Sequence, residues 1–316
     1  MLPRTVRVMS LDAYTVRRPG RSRFIDVRGL RYHVLEWGDA TMASAERPPL
    51  VMLHGWMDVA ASFQFVVDAL SSDRYVIALD WRGFGLTESP GADTYWMPDY
   101  LGDLDAALDQ LLFVGATAER KIDLLGHSMG GNVVMSYAGV RPARVRRLIN
   151  LEGFGLPASH PQDAAPRLLK WLDELKAPAR FRPYANAGEV AARLVKTNPR
   201  LSPDKAAWLA TRWAAPDANG HWHLLADAAH RRINPALYQA DEIVETWARI
   251  SAPLLWIEGA DTDIAKWWNN RYPRSEFEAR LARVPQVQTE RFADCGHMLH
   301  HDRPDALAAR LSAFLR

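Results

Sequence analysis

The chain holds a single cysteine, Cys295, so an intramolecular disulfide framework is excluded, which fits a reducing compartment and a cytoplasmic location. It also lacks charge of one sign: 39 Lys and Arg stand against 37 Asp and Glu, a formal net charge of +2. No basic stripe interrupts that balance, and a nucleic-acid footprint is not indicated. No apolar run approaches the ~20 residues of a membrane span. The arginine-rich stretch from Met1 to Arg23 has no apolar segment of about 7–15 residues such as a secretory signal needs, because Arg7, Ser10 and Asp12 break it. It reads as an extension or an added edge strand. Internal repeats and low-complexity tracts are absent. What remains is a chain of 316 residues, 48% hydrophobic, long enough for a large core with an inserted subdomain. Twelve tryptophans are many for this length.

Apolar strand patterns recur in a regular order. Arg23–Val27 and Leu30–Trp37 alternate and are joined by Arg28-Gly29, a hairpin pattern. Leu50–Leu53, Tyr75–Leu79, Ile122–Leu125, Arg147–Leu151, Leu254–Ile257 and Val287–Phe292 follow. Helical patterns separate them at Ala60–Leu70, Tyr100–Phe113, Asn132–Val140, Glu276–Val284 and Asp305–Leu315. Short apolar strands alternating with helices predict a mostly parallel eight-stranded sheet covered on both faces, with the opening hairpin as an antiparallel edge. From about Leu156 to Arg249 the rhythm stops. That stretch is helical in pattern, punctuated by prolines, and too long for a simple connection. It predicts an inserted helical cap at 156–249 between core segments 1–155 and 250–316. The cap carries Trp171, Trp208, Trp213, Trp222 and Trp247. They either line a pocket for an apolar or aromatic substrate or form the cap's own small core.

The most telling segment is Lys121-Ile-Asp-Leu-Leu-Gly-His-Ser-Met-Gly-Gly131. A buried-strand pattern runs straight into Gly126-His127-Ser128-Met129-Gly130 and then into a helix pattern, the setting in which Gly-x-Ser-x-Gly forms a nucleophile elbow. The turn needs glycines for close backbone approach, and it lifts the serine hydroxyl onto a helix N-terminus, where developing negative charge is favoured. Such a serine needs partners at the carboxyl ends of other strands. His54-Gly55-Trp56 supplies an oxyanion donor, the Trp56 amide, to act with the Met129 amide. His54 itself reads as a hydrogen-bonded residue fixing that loop, and the Trp56 side chain as a pocket wall or as packing. Ala293-Asp-Cys-Gly-His297 follows the last strand, and His297 is the expected base, since imidazole accepts and returns a proton near neutral pH. Of the ten histidines, His33 falls in an edge strand, His127 in the variable place of the elbow, and His221 and His223 in the cap. His300-His301-Asp302 hints at a metal, but with no complementary ligand set evident it reads as a solvated helix start. Cys295 reads as a small buried filler.

Three carboxylates compete to orient His297. Asp261 and Asp263 follow the seventh strand, and Glu152 ends the sixth in Asn150-Leu-Glu-Gly-Phe-Gly155. Position ranks Glu152 third, as a loop carboxylate that shapes the pocket, and does not separate the aspartates. Asp80-Trp-Arg-Gly-Phe-Gly85 fits neither a dinucleotide nor a P-loop spacing; it reads as a tight crossing with Arg82 held by a nearby carboxylate.

In His54-Gly55, Asp80 to Gly85, Gly126 to Gly130 and Gly296-His297, taken in order, the chain resembles the α/β-hydrolase fold superfamily over nearly its whole length. It is most similar to the cap-bearing bacterial serine esterase and hydrolase branch. The Gly-x-x-Ser-Asp pattern of that branch matches Gly259-Ala-Asp-Thr-Asp263, with Thr262 in place of serine, and the resemblance implies Asp263 as the acid. Members that cleave carbon–halogen bonds or epoxides carry aspartate at the elbow, which disfavours those activities here. The resemblance implies a Ser128–His297–Asp263 triad, hydrolysis of carboxylic esters, and neither metal nor organic cofactor. The alternatives are a carbon–carbon hydrolase of ring-opened diketone acids, needing a cation such as Arg193, Arg212 or Lys266, and a ligand-binding homologue with little turnover. The expected partner is a small-molecule substrate, with the chain as monomer or homodimer.

Overall fold

A computed structural model describes residues 14–70, 74–113 and 120–316. The reading of the N-terminal extension therefore lies outside the described residues up to position 13. Tyr14 packs edge-on against Phe65, with ring centroids 4.8 Å apart, and its hydroxyl donates to Asp68 at 2.7 Å.

The strands are β1 (Arg21–Val27), β2 (Leu30–Trp37), β3 (Leu50–Leu53), β4 (Val76–Leu79), β5 (Ile122–His127) and β6 (Val145–Leu151). A cap hairpin, β7 (Ala214–Pro216) and β8 (Trp222–Leu224), precedes β9 (Leu254–Gly259) and β10 (Val287–Phe292). Eight of them form one sheet in the order β1-β2-β4-β3-β5-β6-β9-β10. From β4 to β10 every neighbour is parallel; β1 and β2 form the antiparallel edge. Arg28 and Gly29 join that edge with φ of 50° and 81°, the two left-handed residues a tight two-residue hairpin turn demands.

Side chains alternate across each strand, and in the central strands β3, β4 and β5 both faces are buried. One face presents Val51, Leu53, Ile77, Leu79 and Leu124 to α2 (Met97–Leu108), α3 (Met129–Val140), α7 (Ala240–Trp247) and α9 (Arg274–Leu281). The other presents Leu50, Met52, Val76, Ala78 and Leu125 to α1 (Gln64–Ala69) and α11 (Pro304–Phe314). Such double burial explains why these strands read as continuous apolar runs rather than alternating ones.

Between β6 and β9 lie α4 (Ala164–Leu175), α5 (Ala187–Thr197), α6 (Pro203–Trp213), the β7–β8 hairpin and α7. Val190, Leu194, Leu201, Leu209 and Leu224 make a small core here, joined by Trp208, Trp213 and Trp222 and by Phe65 from the main body. So three of the insert's tryptophans pack in its own small core. Trp247 goes elsewhere: it is buried with Ile250 and Ala252 in the main core, and α7 lies so close to α3 that a β-carbon on Gly139 would stand 1.9 Å from the Thr246 carbonyl. In its packing α7 therefore sides with the hydrolase body, unlike the cap boundary expected at 249. Its helical, polar pattern resembled the cap's, and only tertiary contact tells them apart.

Candidate active site

At the end of β5 the chain turns through Ser128, whose φ of 52° and ψ of −115° are strained for a residue with a side chain. Two glycines make this possible. A β-carbon on Gly126 would lie 2.2 Å from the Gly130 carbonyl oxygen, and one on Gly130 would lie 2.3 Å from that of Leu53. The Ser128 amide donates to Leu151 O at 2.8 Å, tying the turn to β6. Its hydroxyl stands at the head of α3, where Met129 is the first helical residue and its N–H has no acceptor inside the helix.

His297 follows β10, and its Nε2 lies 3.0 Å from Ser128 Oγ. Its Nδ1 lies 3.1 Å from Oε2 of Glu152. Hydroxyl, imidazole and carboxylate thus form one continuous chain of hydrogen bonds, with Nδ1–H donating to the carboxylate and Nε2 free to accept the serine proton.

The carboxylate on His297 is therefore Glu152, not Asp263. Glu152 sits just past β6 with φ of 60°, and its side chain is buried. Its own amide donates to Ile257 O at 3.0 Å, and Oε1 accepts from the Gly259 amide at 2.5 Å, which leaves Oε2 aimed at the ring. Burial pushes the Glu152 carboxyl above its ordinary value, only partly offset by His297 and the Gly259 N–H. Asp263 is exposed and caps the one-turn helix α8 (Ile264–Trp267), Oδ1 accepting from the Lys266 amide at 3.1 Å. Asp261 is also exposed and is paired with Arg200. The pattern Gly259 to Asp263 is present, but it builds a cavity rim. The signal for Glu152 was in the sequence: a carboxylate directly after a buried strand, followed by Gly153, at the strand adjoining the nucleophile strand.

Around this chain stand supporting residues. His127 Nε2 donates to the His297 carbonyl at 2.7 Å, and burial drives its ring pKa well below the ordinary value, so it stays neutral. Asp302 accepts from the Gly296 amide at 2.9 Å and from Asn198 of the insert at 2.7 Å, linking the His297 loop to the segment above it. His54 donates from Nδ1 to Gly55 O at 2.7 Å and accepts the Trp81 amide on Nε2 at 3.0 Å, the loop-fixing role expected of it. Trp56 is half exposed and donates from Nε1 to His230 O at 3.3 Å, so its side chain ties the loop after β3 to the insert. Arg82 is gripped by Asp103 at 2.5 and 2.7 Å, as expected of the Asp80 to Gly85 crossing. Cys295 is fully buried, and burial raises its thiol to about 12, so it is no rival nucleophile.

A cavity of about 710 Å³ opens beside His297, lined by Trp267, Met298, Asn198, Arg200, Asp261 and Lys266 among others. Trp267 meets the His297 ring edge-on at 4.6 Å. Arg193 and Arg212 are not part of it: the first donates to Tyr184 and the second lies over Trp208. No helix among the described residues is long and apolar enough to cross a membrane.

The family described as the alpha/beta hydrolase fold matches residues 48–304, most of the chain. This chain belongs to the α/β-hydrolase family. Among curated relatives, it is 28% identical to serine hydrolase-like protein 2 of Homo sapiens, over 89% of each chain. It is 22% identical to serine hydrolase-like protein of Danio rerio, over 100% of this chain and 94% of that one. Among solved structures it is similar to a thioesterase domain from the curacin biosynthetic pathway. There the TM-score is 0.79 at 24% identity, covering 93% of this chain and 99% of the other. The α/β-hydrolase is thus a hydrolase by family, on a fold that many chemistries share.

Proposed function

We propose that this α/β-hydrolase is a serine hydrolase that cleaves carboxylic esters of small substrates through an acyl-enzyme, with Ser128, His297 and Glu152 as its triad. One observation carries the reading: His297 contacts Ser128 Oγ through one ring nitrogen and a buried carboxylate through the other, at 3.0 and 3.1 Å. His297 takes the serine proton as Oγ attacks the ester carbonyl. Glu152 holds the imidazole in the required tautomer and offsets its positive charge. The Met129 and Trp56 amides are assigned to the carbonyl oxygen as it becomes negative. His297 then passes its proton to the departing alkoxide, and a water that it deprotonates releases the acid.

The cavity favours a substrate with an apolar or aromatic part beside Trp267 and Met298 and a polar part towards Arg200 and Lys266. The human and zebrafish relatives named as serine hydrolase-like support the serine chemistry. The thioesterase fold neighbour makes thioesters a natural second arm of any substrate panel. Lys266 on the cavity wall is the observation that keeps a carbon–carbon hydrolase of ring-opened diketone acids in view, since it could hold a substrate carboxylate.

Ser128→Ala is expected to abolish both labelling by a fluorophosphonate probe and turnover of p-nitrophenyl esters while the fold is unchanged by circular dichroism. Near-normal turnover in that variant ends the proposal. Labelling of Ser128 without turnover of any ester, thioester or diketone acid points instead to a binding protein.

A further inference from the structure

His127, whose ring lies 4.8 Å from that of His297, also lies 4.5 Å from the ring of His300, one of a second set of polar side chains that the proposed reaction does not use. His300 and His301 sit on α10 (Leu299–Asp302), and their expected exposure is reversed: they are 0% and 3% exposed. Their complementary carboxylate is not the adjacent Asp302, which is engaged with Gly296 and Asn198, but Asp58, two residues beyond Trp56 and 3% exposed. One ligand-capable atom from each of Asp58, His300 and His301 lies within 4.8 Å of the other two. Sequence could not reveal this set, because 242 positions separate Asp58 from His300.

Hydrogen bonding alone accounts poorly for this cluster. His33 and Asp80 elsewhere in the chain form an ordinary buried pair at 2.7 Å. His300 Nε2 stands 3.4 Å from Asp58 Oδ2, beyond the usual range for a charge-assisted bond. Among the described residues, His301 Nε2, His300 Nδ1 and the adjacent His127 Nδ1 are buried with no hydrogen-bond partner. Of these only His301 Nε2 is a nitrogen that a cation held with Asp58 would satisfy, because His300 turns Nε2 rather than Nδ1 to Asp58 and His127 stands outside the set; leaving it buried without a partner carries a desolvation cost. A separation of 3.4 Å has another meaning. Two ligand atoms each about 2.0–2.1 Å from a tetrahedral zinc stand about 3.4 Å apart. The 4.8 Å limit on the whole set exceeds that edge by about 1.4 Å, within reach of small side-chain rotations. Two imidazoles and a carboxylate are also the ligand types that borderline divalent cations select.

We propose that Asp58, His300 and His301 form a buried binding site for a divalent transition cation of the zinc class. Asp58 Oδ1 is already oriented by the Val59 amide at 2.8 Å and by the Ser62 hydroxyl, the outer-shell support such a ligand needs. The cation bridges the loop bearing Trp56 to the helix that follows His297. It fastens two loops that flank Ser128 without touching the substrate, so its effect is to stabilise the site. Three protein ligands leave a fourth position for water or hydroxide.

The test is metal binding by the full-length protein, and it stands whether or not the esterase reading holds. After dialysis against Zn²⁺ and then metal-free buffer, elemental analysis is expected to find one zinc per chain, with a rise in Tm that a chelator reverses. Co²⁺ in its place should give the intense visible absorption of a tetrahedral site. His301→Gln and Asp58→Asn should each weaken binding by at least about 100-fold, more than losing a hydrogen bond that merely orients a ligand would cost. Ser128→Ala, and His223→Gln at the exposed Asp217–His223 pair, should bind as the unaltered protein does. Substoichiometric metal, or binding that survives both His301→Gln and Asp58→Asn, overturns the proposal. So does binding lost with His223→Gln, which would mean an adventitious surface ion. If both ligand variants fail to fold, the Co²⁺ spectrum of the unaltered protein decides, and a weak octahedral spectrum refutes the site.

Discussion

Replacing Glu152 by Gln removes one charge and almost no volume, and the structure says what the new amide must do. The Gly259 N–H points at Oε1 from 2.5 Å and needs an acceptor, so the amide oxygen is held there. The amide nitrogen then faces His297 Nδ1 at the place of Oε2, and two donors cannot share that contact. His297 resolves the conflict by moving its proton to Nε2. That nitrogen now presents N–H to Ser128 and cannot accept the serine proton. Loss of the working tautomer at a triad carboxylate is worth about 10⁴-fold in kcat. Four decades correspond to about 5.4 kcal/mol of transition-state stabilisation. Folding should suffer little, because burial already disfavours the Glu152 charge. A change below about 1 kcal/mol, or about 2–4 °C in Tm, is expected. The assay is p-nitrophenyl ester turnover beside thermal melts for Glu152→Gln and Asp263→Asn. Asp263→Asn keeps a good helix N-cap on an exposed loop and should leave kcat within about threefold. If Glu152→Gln keeps a tenth of its activity while Asp263→Asn loses three decades, the tautomer argument is wrong and the earlier assignment of the acid stands.

Two further perturbations probe the framework. Arg82→Met should cost about 3–5 kcal/mol in urea unfolding, because it strips the main partner from fully buried Asp103, and a loss under about 1 kcal/mol would show the pair to be dispensable. Stability should also fall with acid. His230, stacked between Phe84 and Tyr95 at centroid distances of 3.7 and 3.5 Å, has its pKa lowered by burial from 6.5 to about 3. Between those values the unfolded chain binds a proton that the folded one does not, so stability is full above pH 6.5 and drops by about 1.4 kcal/mol per unit as pH falls. His54, also lowered by burial, acts in the same direction. Urea titrations at pH 7 and pH 5.5 should therefore differ by more than about 1 kcal/mol, with a smaller gap in His230→Gln. Equal stability at the two pH values would refute neutral burial of these rings.

The sequence by itself determined the sheet, the elbow and the histidine that meets Ser128. The short runs Leu50–Leu53 and Ile122–Leu125, alternating with helical patterns, point to strands buried on both faces, and the glycines flanking Ser128 point to a sharp turn. These are local constraints, set by sterics and periodicity within a few residues. The carboxylate that meets His297, the packing of the insert's tryptophans and the histidine cluster were decided by tertiary structure. Asp263 and Glu152 both follow strands in the same part of the sheet, and choosing between them depends on which side chain points at His297. That direction follows from the left-handed backbone at Glu152 and from the Gly259 amide, which comes from a neighbouring strand. Trp247 looked like part of the insert until α7 was laid against α3, and His301 looked solvated until Asp58 approached from the far end of the chain. Burial and hydrogen-bond pairing between distant segments are properties of the folded chain; the local pattern at Glu152 offered a carboxylate after a buried strand, but not the partner it would meet.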